Sequence, residues 1–158
     1  MKFYIKQKVF SWADRFNVTD ENGETRYSVK GELISIGKQL HIYDNADREV
    51  AFIQQKVLSF KPRFFVFVNG EQIAEIVKEF TLFRPKYSIL GKGWVVNGDF
   101  WDHDYVITEE GNTVASVHKV WMSWGDSYEL NLVDTNDEVG LLAVILAIDA
   151  VMDAQESR

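Results

Sequence analysis

The sequence contains no cysteine, two prolines and three histidines. Without cysteine there is no disulfide framework and no thiolate-based zinc or iron–sulfur site. Pro62 and Pro85 are the only prolines, so no proline-rich linker divides the chain. Long hydrophobic runs are also missing. Leu141 to Ile148 is uninterrupted, but it falls well short of the roughly 20 apolar residues that span a bilayer. Lys2, Lys6 and Lys8 break up the opening segment, so the apolar run of a secretory signal is absent. The expectation is a cytoplasmic protein, at most peripheral to a membrane, with no transmembrane segment.

What is present fits one folded domain over 1–158, with 46% hydrophobic and 14% aromatic residues. The net charge of −7 excludes wholesale binding to nucleic acid, which relies on phosphate neutralisation. That charge is unevenly spread. Residues 1–92 hold 15 of the 17 Lys and Arg but 11 of the 24 Asp and Glu, a net of +4; residues 93–158 carry −11. This reads either as two attracting halves of one barrel or as a segregated binding surface.

Short runs of β-branched and aromatic residues with period-2 alternation dominate as far as about residue 133. They are Lys2 to Val9, Arg15 to Thr19, Thr25 to Lys30, Leu33 to Ile36, Leu40 to Tyr43, Glu49 to Val57, Phe64 to Val68, Gln72 to Phe80, Tyr87 to Leu90, Trp94 to Asn97, Tyr105 to Thr108, Thr113 to Trp121 and Tyr128 to Val133. Asn69-Gly70 marks the clearest hairpin, because both residues tolerate the positive φ of a type I′ turn. The ending differs in kind. Asp137 to Ala154 reads as a helix, centred near 138–153, that one of Asp134, Thr135, Asn136 or Asp137 can cap. It is apolar on every face over about two turns and so has to be buried on all sides. A flat sheet covers only one side of such a helix. The fold class that follows is mostly β: a closed barrel of about twelve strands around a buried C-terminal helix.

An internal repeat agrees with this. Tyr27-Ser28-Val29-Lys30-Gly31, Val50-Ala51-Phe52-Ile53 and Lys56 to Phe60 parallel Trp94-Val95-Val96-Asn97-Gly98, Val114-Ala115-Ser116-Val117 and Lys119 to Trp124. Two similar β units around one helix make a pseudo-symmetric barrel.

Several of these pieces, in this order, resemble a known family. Phe16-Asn17-Val18-Thr19-Asp20-Glu21-Asn22-Gly23 precedes Tyr27 to Gly31. Val95-Val96-Asn97-Gly98-Asp99-Phe100 then precedes Asp104-Tyr105-Val106-Ile107 and Val114-Ala115, and Leu142 to Ala150 ends the set with Ile148-Asp149. Over nearly the whole chain this resembles the bacterial branch of the LURP-one-related family, in the tubby C-terminal-like superfamily that includes phospholipid scramblases. The resemblance implies a twelve-stranded, tubby-like barrel threaded by the C-terminal helix. Tubby-like proteins bind phosphoinositide headgroups and scramblases act at membranes, but no tubby lipid-binding motif maps onto this sequence residue by residue.

The residues offer few handles for chemistry. Gly-x-x-x-x-Gly-Lys-[Ser/Thr], Gly-x-Ser-x-Gly and His-Glu-x-x-His are all missing, and no cofactor or metal is expected. Asp99, Asp102, His103 and Asp104 form the most polar group. An Asp-rich stretch between strands is a turn by default. The enzymatic alternative would use His103 with a neighbouring carboxylate in acid–base chemistry. His41 and His118 read as strand residues with satisfied hydrogen bonds.

Two other sets point to binding. Lys61-Pro62-Arg63 and Arg84-Pro85-Lys86 bracket the Asn69-Gly70 hairpin, and Lys78 lies on its return strand. Lys61, Arg63, Lys78, Arg84 and Lys86 would then gather at the end away from the turn, as a site for a phosphate or carboxylate or as a solubilising rim. Trp94, Trp101, Trp121 and Trp124 are expected mainly as core packing; left exposed, they would meet a partner or a lipid interface. The reading is a non-catalytic binding module for an anionic small molecule, a phospholipid headgroup or a protein partner. The alternatives are the His103 enzyme and a purely structural or interaction domain.

Overall fold

A computed structural model describes residues 1–6, 15–34, 37–122, 125–133 and 135–156. Alternation of apolar and polar residues yields twelve strands, in the order β1 (Lys2–Lys6), β2 (Arg15–Thr19), β3 (Thr25–Ile34), β4 (Gly37–Tyr43), β5 (Glu49–Gln55), β6 (Arg63–Val68), β7 (Glu71–Lys78), β8 (Tyr87–Leu90), β9 (Trp94–Asp99), β10 (Asp104–Glu109), β11 (Asn112–Met122) and β12 (Gly125–Leu132). One helix, α1 (Glu138–Glu156), follows. Two expected strands, Thr25 to Lys30 and Leu33 to Ile36, are one continuous β3 as far as Ile34. The expected strand ends at Lys8–Val9 and Ile36, the tryptophan at 124 and the cap candidate Asp134 lie outside the described residues.

Every pairing is antiparallel. The order runs β8-β7-β6-β5-β4-β3-β2-β1-β12-β11-β10-β9, and β1 closes on β12 with Phe3 opposite Leu130. The barrel is therefore nearly closed, its seam lying between β8 and β9, which the short segment 91–93 joins. Tyr27 and Val29 of β3 and Trp94 and Val96 of β9, six strands on, all point inward.

The helix fills the barrel. Leu141 to Ile148, Ala150 and Val151 have no accessible surface, and each fully buried Leu or Ile contributes about 1.5–3 kcal/mol. Facing them are Phe3, Ile5, Ile42, Ile53, Phe64, Ile76, Ile107 and Leu130 from the strands. This is the all-round burial that an all-round apolar helix demands.

Strict up-and-down connection gives the barrel two distinct ends. The turn end holds the connections 20–24, 44–48, 69–70, 91–93 and 110–111 and the start of α1. Asn69 and Gly70 there have φ of 49° and 81°, the positive pair a type I′ turn needs. Lys92 Nζ donates to Asp137 Oδ2 at 2.6 Å, and the Tyr27 hydroxyl donates to Glu138, pinning the helix start to the rim. Burial, then the Glu138 carboxylate, push the Tyr27 hydroxyl pKa upward. The loop end holds 56–62, 79–86, 100–103 and the last turns of α1.

Candidate functional site

Expected strand ends at Val57 and Phe80 are instead parts of projecting loops. Lys56 N–H bonds the Arg63 carbonyl at 3.0 Å, and Glu79 N–H bonds the Lys86 carbonyl at 2.8 Å. These bonds clamp the bases of the two loops. Beyond them the side chains turn outward: Phe60 is 89% exposed, Leu82 91% and Phe83 86%, while Leu58 is fully exposed. Leu58 also has φ of 56°, a left-handed conformation that a branched residue reaches only at a cost. Phe60 and Phe80 meet edge to face at 5.3 Å, so the two loops form one apolar crest.

The predicted cations sit around that crest with different occupations. Lys61 Nζ donates to Glu79 Oε2 at 2.5 Å and lies 5.8 Å from the Phe80 ring centre. Arg63 donates to Glu75 Oε1 at 2.7 Å. The Lys61 bond, then one from Ser88, hold the Glu79 carboxyl below its ordinary value. Lys78 and Arg84 line a cleft of about 380 Å³ with Phe80, Phe83, Pro85 and Trp101. Arg84 and Lys86 are exposed, and neither forms an ion pair with a described residue. Lys56 adds a cation that sequence reasoning did not single out, 5.9 Å from the Phe65 ring centre.

The tryptophans divide. Trp94 is core, but Trp101 and Trp121 are 68% and 78% exposed. Core packing therefore does not account for them. Trp101 lies in the β9–β10 turn and Trp121 near the loop-end limit of β11. Neither of the two clefts lined by Trp101 includes His103.

The Asp99–Asp104 stretch is a turn, as expected. Asp102 N–H bonds Asp99 Oδ1 at 3.3 Å and His103 N–H bonds the Phe100 carbonyl at 3.2 Å. Phe100 points inward against Tyr87 and Tyr105 at 4.7 and 5.4 Å, and Trp101 points out. His103 turns beneath, with φ of 51°. Its ring lies 5.0 Å from that of Tyr128, and its Nδ1 is 3.6 Å from Asp149 Oδ1. The neighbouring carboxylates are therefore not its partners; a helix residue is. Asp149 is 4% exposed and accepts a bond from the Tyr105 hydroxyl at 3.2 Å. Burial raises the Asp149 pKa, His103 and Tyr105 oppose the rise, and Asp153 adds to it. The one sequence signal for this partnership was an aspartate ending an otherwise unbroken apolar helix.

His41 Nδ1 lies 2.7 Å from Glu49 Oε1, and His118 Nε2 lies 3.3 Å from Glu129 Oε1. Among the described residues, no three His, Asp or Glu side chains could hold a metal ion, and no helix is long and apolar enough to cross a membrane.

Comparison with known proteins agrees with the architecture. The family model described as LURP-one-related matches residues 1–149. The chain is 33% identical over 158 residues to the uncharacterized Bacillus subtilis protein YxjI, covering all of this chain and 98% of that one. The X-ray structure of an Arabidopsis thaliana protein superposes with a TM-score of 0.60 at 16% identity, over 94% of this chain and 90% of that chain, and supports the fold alone. With its barrel, threaded helix and full-length match, this chain belongs to the LURP-one-related family.

Proposed function

We propose that the protein is a non-catalytic binding module whose loop end docks on an anionic lipid interface. The observation that carries this is the crest of exposed Leu58, Phe60, Leu82 and Phe83. Large side chains at the tips of clamped loops lose water only when something covers them. Each contributes about 1.5–3 kcal/mol if fully removed from water. The chemistry of the rim favours lipid over a second apolar protein face. Lys56, Lys61, Lys78, Arg84 and Lys86 surround the crest, while Glu79 is the single carboxylate on the two loops and is engaged by Lys61. Basic residues near an anionic leaflet contribute about 1 kcal/mol each. Trp101, amphipathic and exposed beside Arg84, suits the headgroup level.

The net charge of −7 opposes membrane approach in general, so the reading requires docking in one orientation, with the loop end facing the surface. Co-sedimentation with phosphatidylserine–phosphatidylcholine vesicles and with phosphatidylcholine alone, at low and moderate salt, tests it. Binding to the anionic vesicles that weakens with salt is expected. No binding to them at low salt would overturn it. Self-association through the crest without vesicle binding would assign the same face to a second copy of the chain.

A further inference from the structure

The β9–β10 turn joins three parts of the molecule. Phe100 plugs the seam between β8 and β9, Trp101 stands at the loop-end surface, and His103 reaches the end of the buried helix. His103 Nδ1 is buried and lacks a hydrogen-bond partner, yet it sits 3.6 Å from Asp149 Oδ1. A buried ring nitrogen left without a partner just beyond bonding distance of a carboxylate calls for an explanation. We propose that His103 and Asp149 form a proton-operated latch on the Trp101 turn, closed when the pair gains a proton and loosened when it loses one.

The latch works through charge. The groups facing Asp149 are the Tyr105 hydroxyl from β10, the His103 imidazole from the turn and Asp153 one turn further along α1. Tyr128 of β12 packs on the His103 ring, and Tyr128 and Tyr87 act on Tyr105. Asp99, Asp102 and Asp104 share the turn. No lysine or arginine among the described residues pairs with Asp149. With Asp149 ionised and His103 neutral, the enclosure therefore carries one uncompensated negative charge. A single proton removes it, whichever of the two groups holds that proton. An uncompensated charge on the buried Asp149 carboxylate draws water or moves its surroundings. What moves most cheaply here is a four-residue turn already holding a left-handed histidine, not a helix locked inside twelve strands.

Loosening would displace Trp101 and open the cleft it forms with Arg84 and Phe83. That this regulates docking rests on the lipid-docking reading; the latch itself does not. The first measurement is therefore made without lipid. The Trp101 indole NMR signal, assigned by Trp101→Phe, is followed between pH 4 and 8 and is expected to move through a single transition. In Asp149→Asn, which keeps an acceptor for Tyr105 and leaves nothing to compensate, the Trp101 signal should stay constant at its acid position. Should that variant not fold, His103→Asn serves, since asparagine tolerates the left-handed turn; its Trp101 profile should differ from that of the parent.

A Trp101 signal indifferent to pH, or a profile unchanged in these variants, overturns the latch. With phosphatidylserine-containing vesicles, affinity should be at least about fivefold higher below the Trp101 transition than above it, the low end of ordinary coupling between sites. Above that transition Asp149→Asn should bind as the parent does below it. His41 and His118 persist in that variant, so their protonation cannot account for the difference. A titrating Trp101 with no vesicle binding at either pH would overturn docking and leave the latch. Vesicle binding with a pH-indifferent Trp101 would do the reverse.

Discussion

At one end of the barrel the strands reverse within segments as short as 69–70 and 110–111, and the turns carry Asp20, Glu21, Asp44, Asp47 and Glu110. At the other, strands are joined by 56–62, 79–86 and 100–103; the tips of the first two expose Leu58, Phe60, Leu82 and Phe83 among lysines and arginine, while Asp99, Asp102 and Asp104 lie in and beside the third. Both ends close over one helix. The turn end does so with ion pairs and hydrogen bonds to Asp137 and Glu138, the loop end with a histidine over a buried carboxylate. A fold needs only the first kind of end. Tight, polar, bonded turns are the cheapest way to reverse a strand, and the proposed docking surface lies on the elaborated end, as binding residues on loops commonly do.

The largest test of that division is on the crest. Changing Leu58, Phe60, Leu82 and Phe83 together to serine should reduce binding to phosphatidylserine vesicles by about a hundredfold or more. The urea midpoint should move little, since surface changes usually lie within about 0.5 kcal/mol each. An equal loss from Val133→Ser, an exposed apolar residue at the turn end, would erase the distinction between the ends.

Next comes a strain test of the turn end. Gly91 has φ of +103°, and a Cβ there would lie 2.9 Å from the Ile73 carbonyl oxygen. Gly91→Ala should destabilise by about 1–3 kcal/mol through strain and backbone displacement, with vesicle binding by the folded fraction unchanged. A vesicle defect at full stability would mean that the turn end also binds.

Asp149 offers a test by pH. Its folded pKa is raised, with burial the main cause. The stability that the native state gains by holding this proton is therefore fully present below the ordinary carboxylate pKa and is lost as pH rises through the folded value. Asp149→Asn should remove that loss, so variant and parent differ most at neutral and alkaline pH, with the variant relatively more stable there. Urea unfolding across pH 4 to 8 reads it. A parent whose stability relative to the variant rises with pH would instead show the charge to be well compensated.

Much of this was legible in sequence, for identifiable reasons. Leu141 to Ile148 has no polar face, and only an enclosing barrel satisfies that. Asn69-Gly70 announced its own turn. The basic residues were predicted to share one end because a hairpin returns its strands to the same place. What periodicity could not reveal was where a strand stops. Val57 and Phe80 continue the alternation of β5 and β7, yet the backbone leaves the sheet before them and exposes Phe60, Leu82 and Phe83 rather than burying them. The ion pairs of Lys61 with Glu79 and Arg63 with Glu75 depend on cross-strand register, which a bulge near Val66 and Phe67 shifts. The His103–Asp149 contact joins residues 46 positions apart with no local motif. Asp149 alone signalled it, as the polar interruption of an apolar helix.

The smallest predicted effect separates folding from function most sharply. Leu58 stands fully exposed with φ of 56°, so in the isolated protein its side chain gains no burial and its backbone is held where leucine is costly. Glycine reaches that conformation freely but loses more chain entropy on ordering. Leu58→Gly should therefore be stabilising by a few tenths to about 1 kcal/mol, a rare sign for removal of a large apolar side chain. The same change should weaken vesicle binding several-fold, because it removes one tip of the crest. Opposite signs would mean that the loop is held against its own preference for the sake of what it meets. If the substitution instead destabilises by the roughly 2 kcal/mol or more typical of a buried leucine, Leu58 packs on the protein in solution. The crest would then be part of the fold, and the two ends would differ in length and charge alone.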